Sequence, residues 1–290
     1  MDHRTLEQRA RAFEYVFDAV VVTDLEGFIV DWNAGAERLY GWSREEAVGQ
    51  PVSILHVKDE LDRTADVLTA VEEKGKWTGE IKMLHRDGTI GWIESVVVPL
   101  LDNEGRPCGA LGINRDITRR VQNEEDLVRL ATTDSLTGLP NRGLLLDRLE
   151  GTFRRAERQL HCFALLFIDL DDFKEINDRG GHLAGDQVLK EVARDLATEL
   201  RDSDTVARIG GDEFAVLIED CSGINDARDV GAKVLEAVKR SVEIDGTPYR
   251  ITASIGVAVY PDNGNDVSTL LGHADEAMYR AKAMGGNWCE

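Results

Sequence analysis

One apolar segment limits the folds open to this chain more than any other feature. Residues 163–168 read FALLFI with no polar interruption. A strand of this kind is buried on both faces, so other layers have to cover both sides of its sheet. The segment runs directly into Asp169, and Asp171 and Asp172 follow after one leucine. Because α/β proteins usually place their chemistry at the carboxyl ends of central strands, these acids are candidate site residues.

A second pair of acids follows a glycine turn. Gly210 and Gly211 separate two β-patterned runs, and Asp212 and Glu213 come directly after them. Adjacent glycines tolerate positive φ and leave the backbone bare for the close approach of a ligand. A lone Gly-Gly-Asp is usually an ordinary acidic turn. Together with Asp169, however, either hairpin acid is suited to hold Mg²⁺ beside a triphosphate. This favours metal-assisted attack of a ribose hydroxyl on an α-phosphate.

Composition narrows the classes of partner. The chain has 290 residues and a formal net charge of −20, and that length suits about two domains. The negative charge argues against duplex nucleic acid or an anionic membrane surface as the main partner, and it favours divalent cations. The four cysteines lack metal-site or disulfide spacing, and no apolar run reaches membrane-spanning length. We therefore expect a cytoplasmic protein that binds neither nucleic acid nor membrane.

The first part of the chain has the pattern of an antiparallel domain. Two β-patterned runs, residues 19–23 and 28–32, flank a turn, and helical stretches follow to about residue 70. Three further runs come after good turn sequences, at residues 77–84, 91–101 and 109–116. Two strands, a helical middle and three strands predict an α+β fold with an antiparallel sheet.

Several short motifs in this part form a recognisable set. They are NAGAE at residues 33–37, GWSREE at 41–46, WTGE at 77–80 and DIT at 116–118. The set resembles a PAS sensor domain, which we place over residues 10–118. Two roles stay open for it: a ligand-binding sensor, and a dimerisation module without a ligand. The sequence identifies no ligand.

Residues 119–133 are polar and favour a helical linker. From Ile117 to about Thr133, apolar residues recur at helical spacing: Ile117, Val121, Leu127, Val128, Leu130 and Ala131. This spacing is compatible with a helix that pairs with its copy in a second subunit. The segment is too short to establish a coiled coil.

The glycine turn belongs to a longer series of motifs. RIGGDEF at residues 208–214 is accompanied, in order, by motifs at residues 134–142, 169–174, 177–178, 181–186, 254–257 and 274–282. Several motifs in one order are far more specific than any one of them. The series resembles the GGDEF family of diguanylate cyclases over residues 131–288. The resemblance implies a central sheet flanked by helices at residues 134–290, similar to nucleotidyl cyclases, that condenses two GTP into cyclic di-GMP and releases two pyrophosphates.

The resemblance also implies roles for the acids and the hairpin. Asp169 and Asp212 would bind Mg²⁺ or Mn²⁺. Glu213 would be a further ligand or the group that helps to deprotonate the attacking 3′-hydroxyl. The backbone at Gly210 and Gly211 would let the nucleotide lie against the hairpin.

Further residues would recognise the substrate. By the same resemblance, Asn177 and Asp186 would hydrogen-bond the guanine edge, so that GTP rather than ATP is read. Lys174 and Lys282 would face phosphates. For Asp171 a structural role stays open.

A regulatory site and a dimer complete the expectations. Arg201 and Asp204 fit the family's Arg-x-x-Asp product-inhibition motif, and an arginine fork and an aspartate suit guanine. The alternative is a solvated charge pair at a helix end. Active cyclases of this family are homodimers in which two bound GTP face each other, so we expect a homodimer whose linker pairing the sensor controls.

Two positions depart from the family pattern. Gly180 stands where a packing side chain is usual, and we expect it to loosen a loop that carries Asn177. Gly286 stands where an arginine is frequent, so we expect one phosphate contact to be missing. The final residues, 287–290, read as the start of a last strand, and we expect a piece of a longer protein that continues into a phosphodiesterase domain of the EAL type.

Three other functions remain as alternatives. One is a non-catalytic GTP-binding regulator of a downstream enzyme. Another is a receptor for cyclic di-GMP that uses Arg201 and Asp204. A cyclase that makes cyclic AMP is disfavoured, because Asn177 and Asp186 suit guanine.

Overall fold

The computed structural model describes residues 8, 11–58, 67, 69–71, 73–239, 241–244 and 247–290, without the side chains of residues 241–250. Contacts within the chain divide it into two compact units, Met1–Glu125 and Asp126–Glu290. In the part of the chain that is described, no helix has both the length and the apolar character needed to cross a membrane.

The first unit is built on one antiparallel sheet. Its strands are β1 (Ala19–Thr23), β2 (Ile29–Trp32), β3 (Trp77–Leu84), β4 (Ile90–Leu101) and β5 (Pro107–Asp116). Their order across the sheet is β2-β1-β5-β4-β3, and every neighbouring pair is antiparallel. Between β2 and β3 lie α1 (Ala34–Tyr40), α2 (Arg44–Ala47) and a 3₁₀ turn (Val52–Leu55). The predicted antiparallel α+β fold is confirmed.

A buried asparagine explains the NAGAE motif. The Asn33 side chain caps α1 by accepting from Ala36 N, and it also accepts from Val20 N, both at 2.8 Å. Its amide donates to three backbone carbonyls of residues 13–18. A Cβ at Gly35 would lie 2.3 Å from Asp18 O, so only glycine fits there. The motif therefore fastens the segment before β1 to the start of α1.

A long exposed helix, α3 (Thr118–Thr132), occupies the predicted linker. None of its residues is buried, and its exposed fractions include 65% at Leu127, 62% at Val128 and 66% at Leu130. Apolar side chains in such number on one exposed helix are typical of a surface that pairs with another helix.

The second unit places a central sheet between two layers of helices. Its main sheet contains β6 (Phe163–Leu170), β7 (Thr205–Gly210), β8 (Glu213–Ile218), β11 (Ala253–Tyr260) and β12 (Trp288–Cys289), in the order β12-β11-β6-β8-β7. A separate hairpin is formed by β9 (Ser241–Ile244) and β10 (Thr247–Arg250). The helices are α4 (Arg142–Gln159), α5 (Phe173–Glu199), α6 (Ile224–Val238) and α7 (Val267–Ala283). The sequence pattern predicted one strand from Arg250 to Val259, whereas in the structure Arg250 ends β10 and β11 begins at Ala253.

Strand β6 is the centre of this sheet and is buried on both faces, as its apolar run predicts. Leu166 and Ile168 belong to a core that includes residues of α5 and α6. Phe163 and Leu165 belong to a second core with residues of α4 and α7. Because side chains alternate along a strand, this one apolar run contributes to both cores. Packing on both faces fixes the position of the end of β6.

Candidate functional site

Two carboxylates meet at the end of the central strand. Asp169 lies near the end of β6 and Glu213 begins the antiparallel neighbour β8, and the register places them directly opposite each other. Asp212 precedes Glu213, and its carbonyl accepts a hydrogen bond from Leu170 N at 3.2 Å. The glycine hairpin is thereby attached to the end of β6.

Burial and mutual repulsion perturb both carboxylates. Asp169 is only 6% exposed. Burial raises its pKa, and the nearby charges of Asp212 and Asp171 add to the rise, while Lys282 opposes it. The pKa of Glu213 is also raised, by burial first and then by Asp169, Asp212 and Asp275. Such clusters of acids with raised pKa values favour a bound cation.

Lys282 supplies a positive charge to this cluster. Its Nζ lies 2.6 Å from Oδ1 of Asp169. This ion pair lies at hydrogen-bond distance, and it opposes the rise in the pKa of Asp169. The carboxylates of Asp169, Asp212 and Asp171 raise the pKa of Lys282 against the opposing effect of burial, so the amine stays charged.

The donor set fits a divalent cation that a substrate helps to hold. Oδ1 of Asp169 is a buried hard oxygen whose partner among the described residues is the Lys282 ammonium, and the charges of Asp212 and Asp169 act on neighbouring carboxyls of the cluster. Within the described ranges, no three His, Cys, Asp or Glu side chains are grouped closely enough to hold a metal ion. Mg²⁺ is commonly bound by one or two carboxylates, with phosphate and water oxygens as the other ligands.

Asp171 has a structural role. Its carboxylate accepts hydrogen bonds from Thr252 Oγ1 at 2.8 Å, Ser254 Oγ at 2.7 Å and the Asn287 backbone N at 2.9 Å. The bond from Asn287 ties the turn after α7 to the residue that follows β6, and the bonds from Thr252 and Ser254 tie the start of β11 to it. Gly286 stands at the position where the family pattern has a frequent arginine. It has φ +71°, and a Cβ there would lie 2.8 Å from Asp171 Oδ2. The positive φ and the nearby Asp171 carboxylate therefore favour glycine at this position.

An arginine that the sequence left without a role holds the hairpin. Arg208 Nε and Nη2 donate to Gly211 O at 3.0 and 2.7 Å, and Nη1 donates to Asp134 Oδ1 at 2.9 Å. Gly211 has φ +54°. Thr137 also donates to Asp134, and these bonds lower the pKa of that carboxyl although burial opposes the change. A charged residue at the end of a β-patterned run is the signal that could have identified Arg208.

Helix α5 carries both guanine-binding candidates, Asn177 and Asp186. Gly181 interrupts the helix with φ 76° and ψ 170°. A Cβ at Gly185 would lie 2.2 Å from Asn177 Oδ1. The Asn177 side chain, which comes before the interruption, therefore contacts Gly185, the residue before Asp186. The expected loop around Asn177 is wrong, because Asn177 is helical. Gly180 is exposed, so it leaves no packing gap.

The remaining candidates lie at different distances from the carboxylates. Lys174 is exposed on the first turn of α5, two positions after Asp172. Arg201 and Asp204 form a turn before β7: Asp204 N donates to Arg201 O at 2.9 Å, and Arg201 N donates to Asp204 Oδ2 at 3.3 Å. The length of β7 separates this turn from the hairpin, about 3.3 Å for each residue.

The geometry agrees with comparisons with known proteins. A family model described as "Diguanylate cyclase, GGDEF domain" matches residues 131–288, and a PAS fold model matches residues 7–117. The probable diguanylate cyclase DgcE of Escherichia coli is 32% identical over 272 residues, which are 92% of this chain and 24% of DgcE. The chain thus spans about a quarter of that relative's length.

Solved structures agree with the fold of the second unit. The GGDEF domain of TpbB from Pseudomonas aeruginosa is 41% identical, with a TM-score of 0.52, over 53% of this chain and 96% of that one. The coiled coil and GGDEF domain of DgcB from Caulobacter crescentus, in complex with cyclic di-GMP, is 30% identical with a TM-score of 0.54, over 60% and 92%. A chain with a PAS-fold unit, the hairpin of Gly210 and Gly211, and Asp169 opposite Glu213 belongs to the GGDEF family of diguanylate cyclases.

Proposed function

We propose that this chain condenses two GTP into cyclic di-GMP and releases two pyrophosphates. The observation that carries the proposal is the register of β6 and β8, which sets Asp169 opposite Glu213 beside an intact glycine hairpin. Each 3′-hydroxyl oxygen attacks the α-phosphorus of the other GTP, the bond to the bridging oxygen breaks, and pyrophosphate leaves. A cytoplasmic location follows from the GTP substrate.

Asp169 and Asp212 hold Mg²⁺ or Mn²⁺ in this proposal, with triphosphate oxygens as further ligands. When bound there, such an ion would supply positive charge to offset the charge that develops on the phosphate during transfer. Glu213 has a raised pKa, which makes it a stronger base than an exposed glutamate. It therefore suits the second of its two expected roles, accepting the proton of the attacking 3′-hydroxyl. Lys174 and Lys282 bind phosphate oxygens.

Asn177 and Asp186 read the base. An aspartate accepts from the N1–H and N2–H groups of guanine, and an asparagine amide donates to O6 or N7. Adenine offers a donor where guanine has O6 and lacks the N1–H, so it would leave both side chains with unmatched groups. A site built for hydrogen bonding rejects such an analogue strongly. We therefore propose GTP rather than ATP as substrate.

Two copies of the chain complete the reaction. The second unit offers one pair of base-reading side chains, on α5, so two GTP require two subunits. The exposed apolar residues of α3 support pairing of the linkers, and the PAS unit controls how they pair. Arg201 and Asp204 form a preformed turn that binds the product and inhibits the enzyme. The same turn supports a second candidate function, a receptor for cyclic di-GMP.

Incubation of the purified chain with GTP and Mg²⁺ tests the proposal, after removal of bound nucleotide. We expect chromatography to show cyclic di-GMP and pyrophosphate from GTP and no cyclic dinucleotide from ATP. Glu213→Gln and Asp212→Asn should abolish the product, whereas Glu199→Gln, at an exposed position at the end of α5, should not. Full turnover by Glu213→Gln would refute the assignment. Tight binding of cyclic di-GMP without turnover of GTP would favour the receptor.

A further inference from the structure

The ammonium of Lys282 stands where a bound cation would be expected. It lies 2.6 Å from Asp169 Oδ1, a buried carboxylate oxygen for which the described residues offer no other partner. Mg²⁺ binds carboxylate oxygens at about 2.0–2.1 Å and carries twice the charge of an ammonium. Two cations on one oxygen repel each other strongly in a partly buried site. Binding of a metal ion to Asp169 therefore requires Lys282 to move away.

The position of Lys282 is built into the fold. The residue lies in the last turn of α7, and the turn that follows is tied to β6 through the bond from Asn287 N to Asp171. Gly286, the residue before Asn287, also packs against Asp171, since a Cβ on it would lie 2.8 Å from Asp171 Oδ2. The backbone that carries Lys282 is thus held beside Asp169, while its side chain is 38% exposed and has room to turn outward.

A triphosphate changes the balance between these two cations. Without nucleotide, the anion that holds the Lys282 ammonium is the carboxylate of Asp169, 2.6 Å away. A bound triphosphate adds anionic oxygens that can take over the ammonium and release Asp169 to the metal ion. Coupling of this kind is reciprocal, because each ligand then raises the affinity for the other by the same factor.

We propose that Lys282 acts as an internal counter-ion of Asp169 and prevents a metal ion from binding there until a nucleoside triphosphate binds. Metal and nucleotide then bind together. The inference rests on the proposed function, since it takes Asp169 as a metal ligand and a triphosphate as substrate. It adds a property that the proposed reaction does not require, namely weak metal binding by the nucleotide-free protein because of one lysine.

Binding of Mn²⁺ to the full chain tests the inference without any turnover. Free Mn²⁺ is measured by its electron paramagnetic resonance signal, with and without a GTP analogue whose α,β-bridging oxygen is replaced by methylene. Lys282→Met removes the charge and keeps the length of the side chain, and Lys282→Gln serves as a second variant. Lys190→Met, at an exposed position on α5, is the matched control.

Without nucleotide, we expect Lys282→Met and Lys282→Gln to bind Mn²⁺ about tenfold more tightly than the parent chain, which corresponds to about 1.4 kcal/mol. Lys190→Met should match the parent. The analogue should raise Mn²⁺ affinity by a larger factor in the parent than in the Lys282 variants. Equal or weaker Mn²⁺ binding by both nucleotide-free Lys282 variants would overturn the inference. If neither the parent nor the variants bound Mn²⁺ with the analogue present, the proposed function itself would fail.

Discussion

Asp169 and Glu213 face each other across neighbouring antiparallel strands, and both carboxyls have raised pKa values. Like charges directly opposite each other destabilise a sheet. The repulsion is concentrated where the candidate site is, and the central strand that carries Asp169 is buried on both faces. The two cores around β6 therefore stabilise an arrangement of charges that would be unfavourable by itself.

Glu213→Gln should stabilise the metal-free chain. Removing one of two facing charges relieves about 0.2–1 kcal/mol of repulsion. When folding raises the pKa of a carboxyl, the folded protein becomes less stable as the pH rises through that pKa. The advantage of the variant should therefore be present at neutral pH and disappear at acid pH, where the carboxyl of the parent is protonated. Thermal unfolding without metal, followed at both pH values, measures it. A lower melting temperature for the variant at neutral pH would contradict the prediction.

Asp275→Asn should move the acid limb of the pH–activity profile to lower pH. Asp275 lies on α7 and its charge helps to raise the pKa of Glu213. Without that charge the ionised form of Glu213 is less disfavoured, so its pKa falls and the base stays active at lower pH. The profile of kcat/KM with GTP against pH measures the shift. A control is Glu236→Gln, at an exposed position on α6, which should leave the limb in place. A shift to higher pH in Asp275→Asn would show the electrostatic account to be wrong.

Arg208→Ala should lower both stability and activity. The side chain is 12% exposed and donates three hydrogen bonds, to Gly211 O and Asp134. Gly211 is exposed and Asp134 is only partly buried, so the loss of these bonds should cost about 2 kcal/mol. A displaced hairpin should reduce turnover roughly 10- to 100-fold. Denaturant unfolding and initial rates measure the two effects.

Asp134→Ala provides the matched test of this connection, because it removes one end of the same ion pair. The two side chains bond to each other. The double variant should therefore lose less free energy of unfolding than the two single variants lose in total. Arg194→Ala, an exposed arginine on α5, should change stability by at most about 1 kcal/mol. Strict additivity of Arg208→Ala and Asp134→Ala would indicate that the two residues act independently.

Asn33→Ala should destabilise the first unit far more than Ser43→Ala does. Asn33 is buried and makes five hydrogen bonds, to Val20 N, Ala36 N and three carbonyls. Loss of several of these bonds together costs about 2–4 kcal/mol. Ser43 caps α2 at a partly buried position, and its replacement should cost about 1 kcal/mol. Calorimetry of the whole chain separates the transitions of the two units. Equal effects of the two substitutions would contradict this ranking.

Local pattern was sufficient to determine much of this protein. The apolar run before Asp169 predicted a strand buried on both faces, and the glycine pair predicted the hairpin before Asp212 and Glu213, because strand periodicity and turn chemistry depend on near neighbours. The order of the motifs predicted both domain families, and the models described as PAS and GGDEF match those segments.

Contacts between distant residues were decided only by the tertiary structure. The register that sets Asp169 against Glu213, the Lys282 ammonium at Asp169 and the bonds of Arg208 to Asp134 each join elements whose spacing along the chain carries no signal of their contact. Sequence reasoning placed Asn177 in a loop, yet Asn177 is helical. The cysteines are free thiols, as their lack of disulfide spacing predicted, but the tertiary structure brings the Sγ atoms of Cys162 and Cys221 to 3.2 Å from each other. Periodicity predicts which face of an element is buried, whereas packing of the whole sheet between its helices decides which side chains meet.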